Sequence, residues 1–146
     1  MTCPFCELKE IEERVVIKND LAKAFPTNIP VVPGHMLICP IRCVSKLEDV
    51  TASEARAIFD LIKILKRALT KVFGAEGFNF AWNEGETAGQ NIAHLHLHML
   101  PRKTGDTGIT GYEPRKFLYR PGSREDSPES ELKTVADLIK KEIVKL

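Results

Sequence analysis

The sequence predicts an α+β domain: an antiparallel sheet of about five strands with a long central helix and a C-terminal helix. Three observations predict it. Short apolar runs occur in neighbouring pairs, joined by connections too short for a parallel crossover. The stretch 52–73 carries apolar residues at helical spacing. The chain has 146 residues, 43% hydrophobic and 28% charged, which suits one domain spanning 1–146 with a buried core.

Residues 15–18 and 21–25 read as strands around the turn signal Asn19-Asp20. Prolines punctuate 26–33, and a proline cannot donate to a ladder. Residues 35–39 form an apolar strand stopped by Pro40. Thr51 and Glu54 have capping-box spacing, and Ile58, Leu61, Ile62, Leu65, Leu69 and Val72 recur along the helix that follows. Gly74 ends it. In 78–83 the aromatic residues alternate with Asn79, Ala81 and Asn83, so each set takes one strand face. A glycine-bearing loop leads to a further strand at 94–100, closed by Pro101. Residues 102–126 are a long polar loop with a basic character. Residues 127–146 are a helix with Pro128 at its first position and a stripe of Val135, Leu138, Ile139 and Ile143. One face of the sheet is expected under the helices and the other open.

Charge and hydropathy exclude several functions. Lysines and arginines number 21 against 20 acidic residues, a net charge of +1. This leaves no broad nucleic-acid or membrane footprint. No apolar run approaches the ~20 residues of a membrane span. No leader pattern is visible at the start, so a reducing, cytoplasmic setting is expected. In that setting the Cys3-x-x-Cys6 pair reads as a metal or redox pair rather than a disulfide, with Cys39 and Cys43 also present.

His94, His96 and His98 alternate with Leu95, Leu97 and Met99, which sets three imidazoles on one face. Three readings stand. A three-histidine metal site would have to gather residues spread over roughly 13 Å of strand with bonds of ~2 Å. Neutral imidazoles also suit nucleophilic attack at phosphorus. A polar face without chemistry is the third.

The run 94–100 matches the signature His-ϕ-His-ϕ-His-ϕ-ϕ, with ϕ apolar, at every position, and so resembles the histidine triad family. Asn83-Glu84-Gly85 followed by Ala88-Gly89-Gln90 is similar to that family's phosphate-contacting loop. Residues 30–35 followed by Cys39-Pro40 are similar to its Pro-x-x-Pro-Gly-His strand entry. The stretches 31–35 and 100–103 are closest to the fragile-histidine-triad branch, whose members hydrolyse dinucleoside polyphosphates. The resemblance covers about residues 1–103.

It implies roles for named residues. His96 would attack the α-phosphorus of an adenylated nucleotide, a dinucleoside polyphosphate or a nucleoside phosphoramidate. His98 would assist the leaving group, His94 would complete the triad, and His35 would buttress it. Asn83, Gln90 and backbone N–H groups near Gly89 would hold phosphate oxygens. Phe5, Phe25 and Leu37 are candidates for a nucleobase pocket, with plain core as the other reading. Thr27 stands where the family usually has Asp or Asn at the ribose, and Asn28 next to it can substitute. Asn91 stands where Ser or Thr is common near the α-phosphate. His98 separates the chain from the transferase branch, which has Gln there. The resemblance further implies a structural zinc ion held by Cys3, Cys6, Cys43 and His94, with Cys43 where relatives usually have histidine, and Cys39 as a core thiol. Unliganded thiols are the alternative. A homodimer paired across a sheet edge and the long helix is also implied. A nucleotide-binding or signalling module with weak or no catalysis is the second functional expectation. An end-processing role on nucleic acid would need a DNA-binding module and a basic face, and this chain shows neither.

Overall fold

Asn19 builds the first turn of the sheet. Its side-chain oxygen accepts from the Leu21 and Ala22 N–H groups at 3.1 and 2.9 Å, which joins β1 (Ile17–Lys18) to β2 (Ala22–Pro26). Its amide nitrogen donates to the Ala57 carbonyl and ties the turn to the long helix. The computed structural model describes residues 3–106 and 126–146. The basic side chains expected at Arg115, Lys116, Arg120 and Arg124 therefore lie outside the described residues.

The remaining elements are β3 (Met36–Pro40), β4 (Gly77–Trp82) and β5 (Leu97–Arg102), with helices α1 (Pro4–Glu7), α2 (Lys9–Glu13), α3 (Ala52–Phe73) and α4 (Glu129–Val144). The five strands are antiparallel in the order β1-β2-β3-β5-β4. Strand β5 is therefore interior, flanked by β3 and the edge strand β4.

Helix α3 starts at the predicted capping box: the Thr51 hydroxyl accepts from Glu54 N–H, and the Glu54 carboxylate accepts from Thr51 N–H. It stops at Gly74, whose φ of 68° is the left-handed conformation expected of a C-terminal glycine. Its inner face sets Leu61, Leu65 and Leu69 against Ala24, Ile38 and Met99 of the sheet and Ile139 of α4. Each buried leucine contributes roughly 1.5–3 kcal/mol. The small residues Ala22 and Ala24 let the helices approach β2 closely.

Three expectations need correction. The opposite face of the sheet is not open throughout. The two short N-terminal helices, which the polar lead-in concealed, place Phe5 and Ile11 over Phe25, Leu37 and Cys39 in a second cluster. Pro128 is the cap before α4 and not its first helical residue, with ψ at 143°. The strand expected from His94 begins at Leu97. Beyond the pair Ile38↔Leu97 the ladder meets Pro40, which has no N–H. The Pro40 carbonyl is taken by the His94 ring at 2.7 Å.

Gly34 holds the turn into β3. Its φ is +88°, and a Cβ there would lie 2.8 Å from Phe73 Cδ2 and 3.0 Å from Pro101 Cγ. Only glycine fits both the backbone and the space, so His35 enters the strand against the end of α3.

Glu54 is buried and accepts two hydrogen bonds from Arg42, at 3.1 and 2.8 Å. Those bonds, the largest cause, hold its carboxyl below the usual 4.5, against the opposing effect of burial. A depressed carboxylate pKa contributes stability that is present above the unfolded value and lost as pH falls through the folded one. Glu54→Gln keeps the capping geometry and removes the charge. The urea midpoint of the wild type is expected to fall more steeply than that of Glu54→Gln between about pH 5 and pH 3. Parallel profiles would show that the pair adds nothing.

Candidate active site and metal site

Register sets the site. Phe25 pairs with Leu37, Leu37 with His98, and His98 with Ala81. Paired residues share a face, so these four form one line across the sheet. The adjacent line holds Lys23 paired with Cys39, and the same alternation continues it to His96 and Asn83.

Backbone partners fix the tautomers of His35, His94 and His96, because a carbonyl only accepts and a backbone N–H only donates, and His35 in turn sets His98. Val31 N–H donates to His35 Nδ1 at 3.1 Å, so the His35 proton is on Nε2. That Nε2–H donates to His98 Nδ1 at 3.0 Å. Neutral His98 therefore carries its own proton on Nε2. His96 Nδ1–H donates to the His94 carbonyl at 2.9 Å, which makes Nε2 of His96 a lone pair. Burial, the largest cause, holds His96 below the usual imidazole range, against the opposing effect of its hydrogen bond to the His94 carbonyl. The two rings lie 4.9 Å apart. One is set as a nucleophile and the other as a proton donor.

His94 is turned the other way. Its Nε2–H donates to the Pro40 carbonyl, and its Nδ1 lone pair faces Cys3 Sγ at 3.2 Å and Cys6 Sγ at 3.5 Å. The Cys6 and Glu7 N–H groups both donate to the Cys3 carbonyl, and this turn brings the first two thiols together. Cys43 completes the group, whose ligand atoms all lie within 4.8 Å of one another. Tetrahedral ligands at ~2.3 Å from one ion stand roughly 3.8 Å apart, so this set fits a metal with little movement. The carbonyl on the far ring nitrogen of His94 is the usual outer partner of a ligating histidine. Burial, the largest cause, pushes the Cys6 thiol up to about 12, with Cys3 adding to it, and raises Cys43 as well. Burial, with crowding by Cys3 added to it, thus favours a proton or a cation on Cys6 and Cys43. Cys39 lies apart, fully buried and pushed up to about 12 by burial, as expected of a core thiol.

The loop residues divide. Asn83 is 3% exposed, and among the described residues neither its amide nitrogen nor its oxygen has a hydrogen-bond partner. Leaving such a group unpaired costs about 1–3 kcal/mol, which is consistent with a ligand supplying the partner. Gln90 differs: its oxygen accepts from Gly85 N–H at 2.8 Å and its nitrogen donates to the Ser45 carbonyl at 3.0 Å. Gly89 N–H donates to the Glu86 carbonyl. In this structure both brace the loop. Asn91 is exposed, as is Asn28. Thr27 is buried, and its hydroxyl accepts from Ile29 N–H, so it points into its own turn.

Phe5 packs edge-on against both Phe25, at 5.1 Å, and His96, at 5.0 Å. Phe5, Phe25 and Leu37 line a cleft of about 400 Å³ together with Asn28, Ile92 and Arg14, and Glu129 stands at its end. Phe25 is fully buried and serves as floor. Arg14 and Glu129 were not foreseen. They are 115 positions apart, and no local pattern links them.

A model of the HIT domain matches residues 8–105. The chain is 35% identical over 96 residues to the asymmetrical bis(5'-nucleosyl)-tetraphosphatase of Schizosaccharomyces pombe, covering 66% of this chain and 53% of that protein. It thus spans about half of that relative's length. It is 29% identical over 119 residues to the bis(5'-adenosyl)-triphosphatase of Dictyostelium discoideum, covering 82% of this chain and 76% of that one. Among solved structures, the fold is shared with a Zn-bound histidine triad family protein from Mycobacterium smegmatis, with a TM-score of 0.74, 21% identity, and coverage of 99% and 95% of the two chains. The triad, its entry turn and the matched domain lead to one conclusion: this chain belongs to the histidine triad (HIT) family.

Proposed function

We propose that the chain hydrolyses the bond at the α-phosphorus of a dinucleoside polyphosphate or nucleoside phosphoramidate. The observation that carries this reading is the opposed tautomers of His96 and His98. The His96 Nε2 lone pair attacks phosphorus, and the bond to the leaving oxygen or nitrogen breaks as His98 Nε2–H gives it a proton. The nucleotidyl–imidazole so formed is cleaved by water, which returns the proton to His98 and frees His96. Asn83 donates to a phosphate oxygen as charge develops there. The names of the two relatives support this substrate class. A second reading, nucleotide binding with weak catalysis, draws on the occupied amide of Gln90 and N–H of Gly89.

Turnover of diadenosine tri- and tetraphosphate and of adenosine phosphoramidate decides between them. His96→Ala is expected to lower kcat by at least about 10⁴-fold, because the nucleophile is lost. His35→Ala is expected to cost about 10–100-fold through the misplaced His98. Turnover that survives in His96→Ala would overturn the mechanism.

Cys3, Cys6, Cys43 and His94 are further proposed to bind a metal ion, zinc. Three thiolates and one imidazole suit it, and a relative of the same fold is zinc-bound. Zinc in this place would cross-link the N-terminus to the turn before β5 and supply folding energy. Protein purified without chelator is expected to carry close to one equivalent, and Cys3→Ser to lose most of it. Less than about a tenth of an equivalent in the wild type would sink the assignment. Four free cysteines suit a reducing compartment, and among the described residues no helix is long and apolar enough to cross a membrane.

The chain is further proposed to form a homodimer through β4. This is the long sheet edge, against two residues in β1, and an unprotected edge invites pairing. Beside it a groove of about 560 Å³ is lined by Leu47, Val50, Phe59, Phe80 and Trp82, with Phe59 63% exposed. Sedimentation is expected to give a dimer that Phe80→Lys weakens. A monomer at micromolar concentration would rule it out.

A further inference from the structure

His96 is held at one atom by its own strand: its Nδ1–H donates to the His94 carbonyl at 2.9 Å. The last torsion of a histidine is broad and roughly two-fold. One bond therefore does not stop the ring from swinging and carrying Nε2 away from its aim. Two rings pack against it, His98 at 4.9 Å and 61°, and Phe5 at 5.0 Å and 80°. His98 is fixed by His35. What fixes Phe5 lies outside the triad.

Phe5 belongs to α1, a helix of four residues, too short to stand alone in water. The helix ends where Leu8 turns extended, which leaves carbonyls of its last turn without helical partners. The Phe5 carbonyl is taken by the Lys23 ammonium at 2.6 Å, and the same Nζ stands 3.5 Å from Glu12 Oε2 of α2. Lys23 is 8% exposed and Phe5 4%. Lys23 pairs with Cys39 in the sheet and so shares the face that α1 covers.

A buried lysine is unusual. Taking its ammonium out of water is unfavourable unless the charge is paired and hydrogen-bonded. An apolar side chain would fill the same place in β2 without that penalty, as Ala22, Ala24 and Phe25 do beside it. What the ammonium adds is direction: it draws the Phe5 carbonyl down onto the sheet. With its backbone so fixed, the Phe5 ring meets both Phe25, at 5.1 Å, and His96. The hydrolytic mechanism has no other part for Lys23, whose ammonium is engaged by Phe5 and Glu12.

We propose that Lys23 is a positioning residue for His96, acting through Phe5: the lysine pins the N-terminal turn, and the turn holds the nucleophile's ring with Nε2 toward phosphorus. This rests on the nucleotide-hydrolase reading above and adds to it the groups that keep the nucleophile in line.

The test reads the ring itself. Long-range proton–nitrogen spectra separate the two nitrogens of a neutral imidazole when its proton stays on one of them. At about pH 8, where imidazoles are mostly neutral, His96 of the wild type is expected to show a protonated Nδ1 and a bare Nε2. In Lys23→Met and in Phe5→Leu the two signals are expected to move together, because a released ring shares its proton between both nitrogens. The kcat for diadenosine triphosphate is expected to fall about tenfold in each, with KM within about threefold, because alignment is lost and binding is not. Lys23→Arg, which can still donate to the Phe5 carbonyl, is expected to restore most of both. Averaged His96 nitrogens in the wild type overturn the assignment without recourse to any variant. Separated wild-type signals that persist in Lys23→Met or Phe5→Leu overturn it too, whatever happens to kcat, since a loss of stability alone leaves the tautomer of the folded molecules unchanged. A rise in KM with kcat kept in Phe5→Leu makes Phe5 a cleft wall alone and has the same force. A wild type that cleaves no dinucleotide defeats the hydrolase reading, and the spectra still decide whether Lys23 holds the ring.

Discussion

The hydrogen bond from His94 Nε2 to the Pro40 carbonyl, 2.7 Å long, governs both centres. Because Pro40 lacks an N–H, the ladder between β3 and β5 stops there, and the chain before Leu97 bends. The carbonyl that the ladder would have used takes the His94 ring proton instead. That choice leaves Nδ1 bare toward Cys3 and Cys6. The bend also frees the His94 carbonyl to accept the Nδ1 proton of His96, which leaves the His96 lone pair on Nε2. One missing backbone donor thus orients the candidate metal ligand His94 and the proposed nucleophile His96 together. A regular strand in their place would have used the His94 carbonyl in pairing and spread the three rings at uniform spacing.

The second proton chain runs from the other side of the sheet. Val31 N–H, His35 and His98 form a directional line in which each group can donate only one way. Its origin is the turn at Gly34, packed against Phe73 and Pro101. The rigidity of α3 therefore reaches the proton donor through a loop and not through the sheet. His35 makes no use of its own charge in this arrangement. Its work is to fix which nitrogen of His98 carries hydrogen.

Much of this was legible in the sequence, and the limit was distance along the chain. The capping box at Thr51 and Glu54, the Asn19 turn and the Gly74 stop are local signals, and each formed as expected. The alternation of His96, His98, Leu97 and Met99 fixed which face is polar. The triad reading came from a motif, while the metal ligands at Cys3, Cys6, Cys43 and His94 came from a resemblance, and the fold brings those four together. What the sequence could not show was the consequence of Pro40 for its neighbour strand, because a missing donor matters only once pairing is known. The helices in 4–13 were hidden for a similar reason: five residues of mixed polarity have no periodicity to read, and burial of Phe5 and Ile11 stabilises them from outside. The pair of Arg14 with Glu129 had no local signal, because its members are 115 positions apart.

The charge balance also gains a physical sense. A site for polyphosphate is often imagined as a basic patch, yet the chain carries a net charge of only +1 and the line His98–Leu37–Phe25 holds no cation. The donors proposed to meet phosphate are the Nε2–H of His98, set by His35, and the amide of Asn83. Such donors interact weakly with a resting anion in water and more strongly with charge that develops in a dry pocket. Among the described residues Arg14 lies on the cleft beside Phe5, where it is paired with Glu129. In the proposed reaction the division follows from what each group recognises: geometry at phosphorus is read by hydrogen-bond direction, and an uncharged ring is met by the apolar surface of Phe5, Phe25 and Leu37.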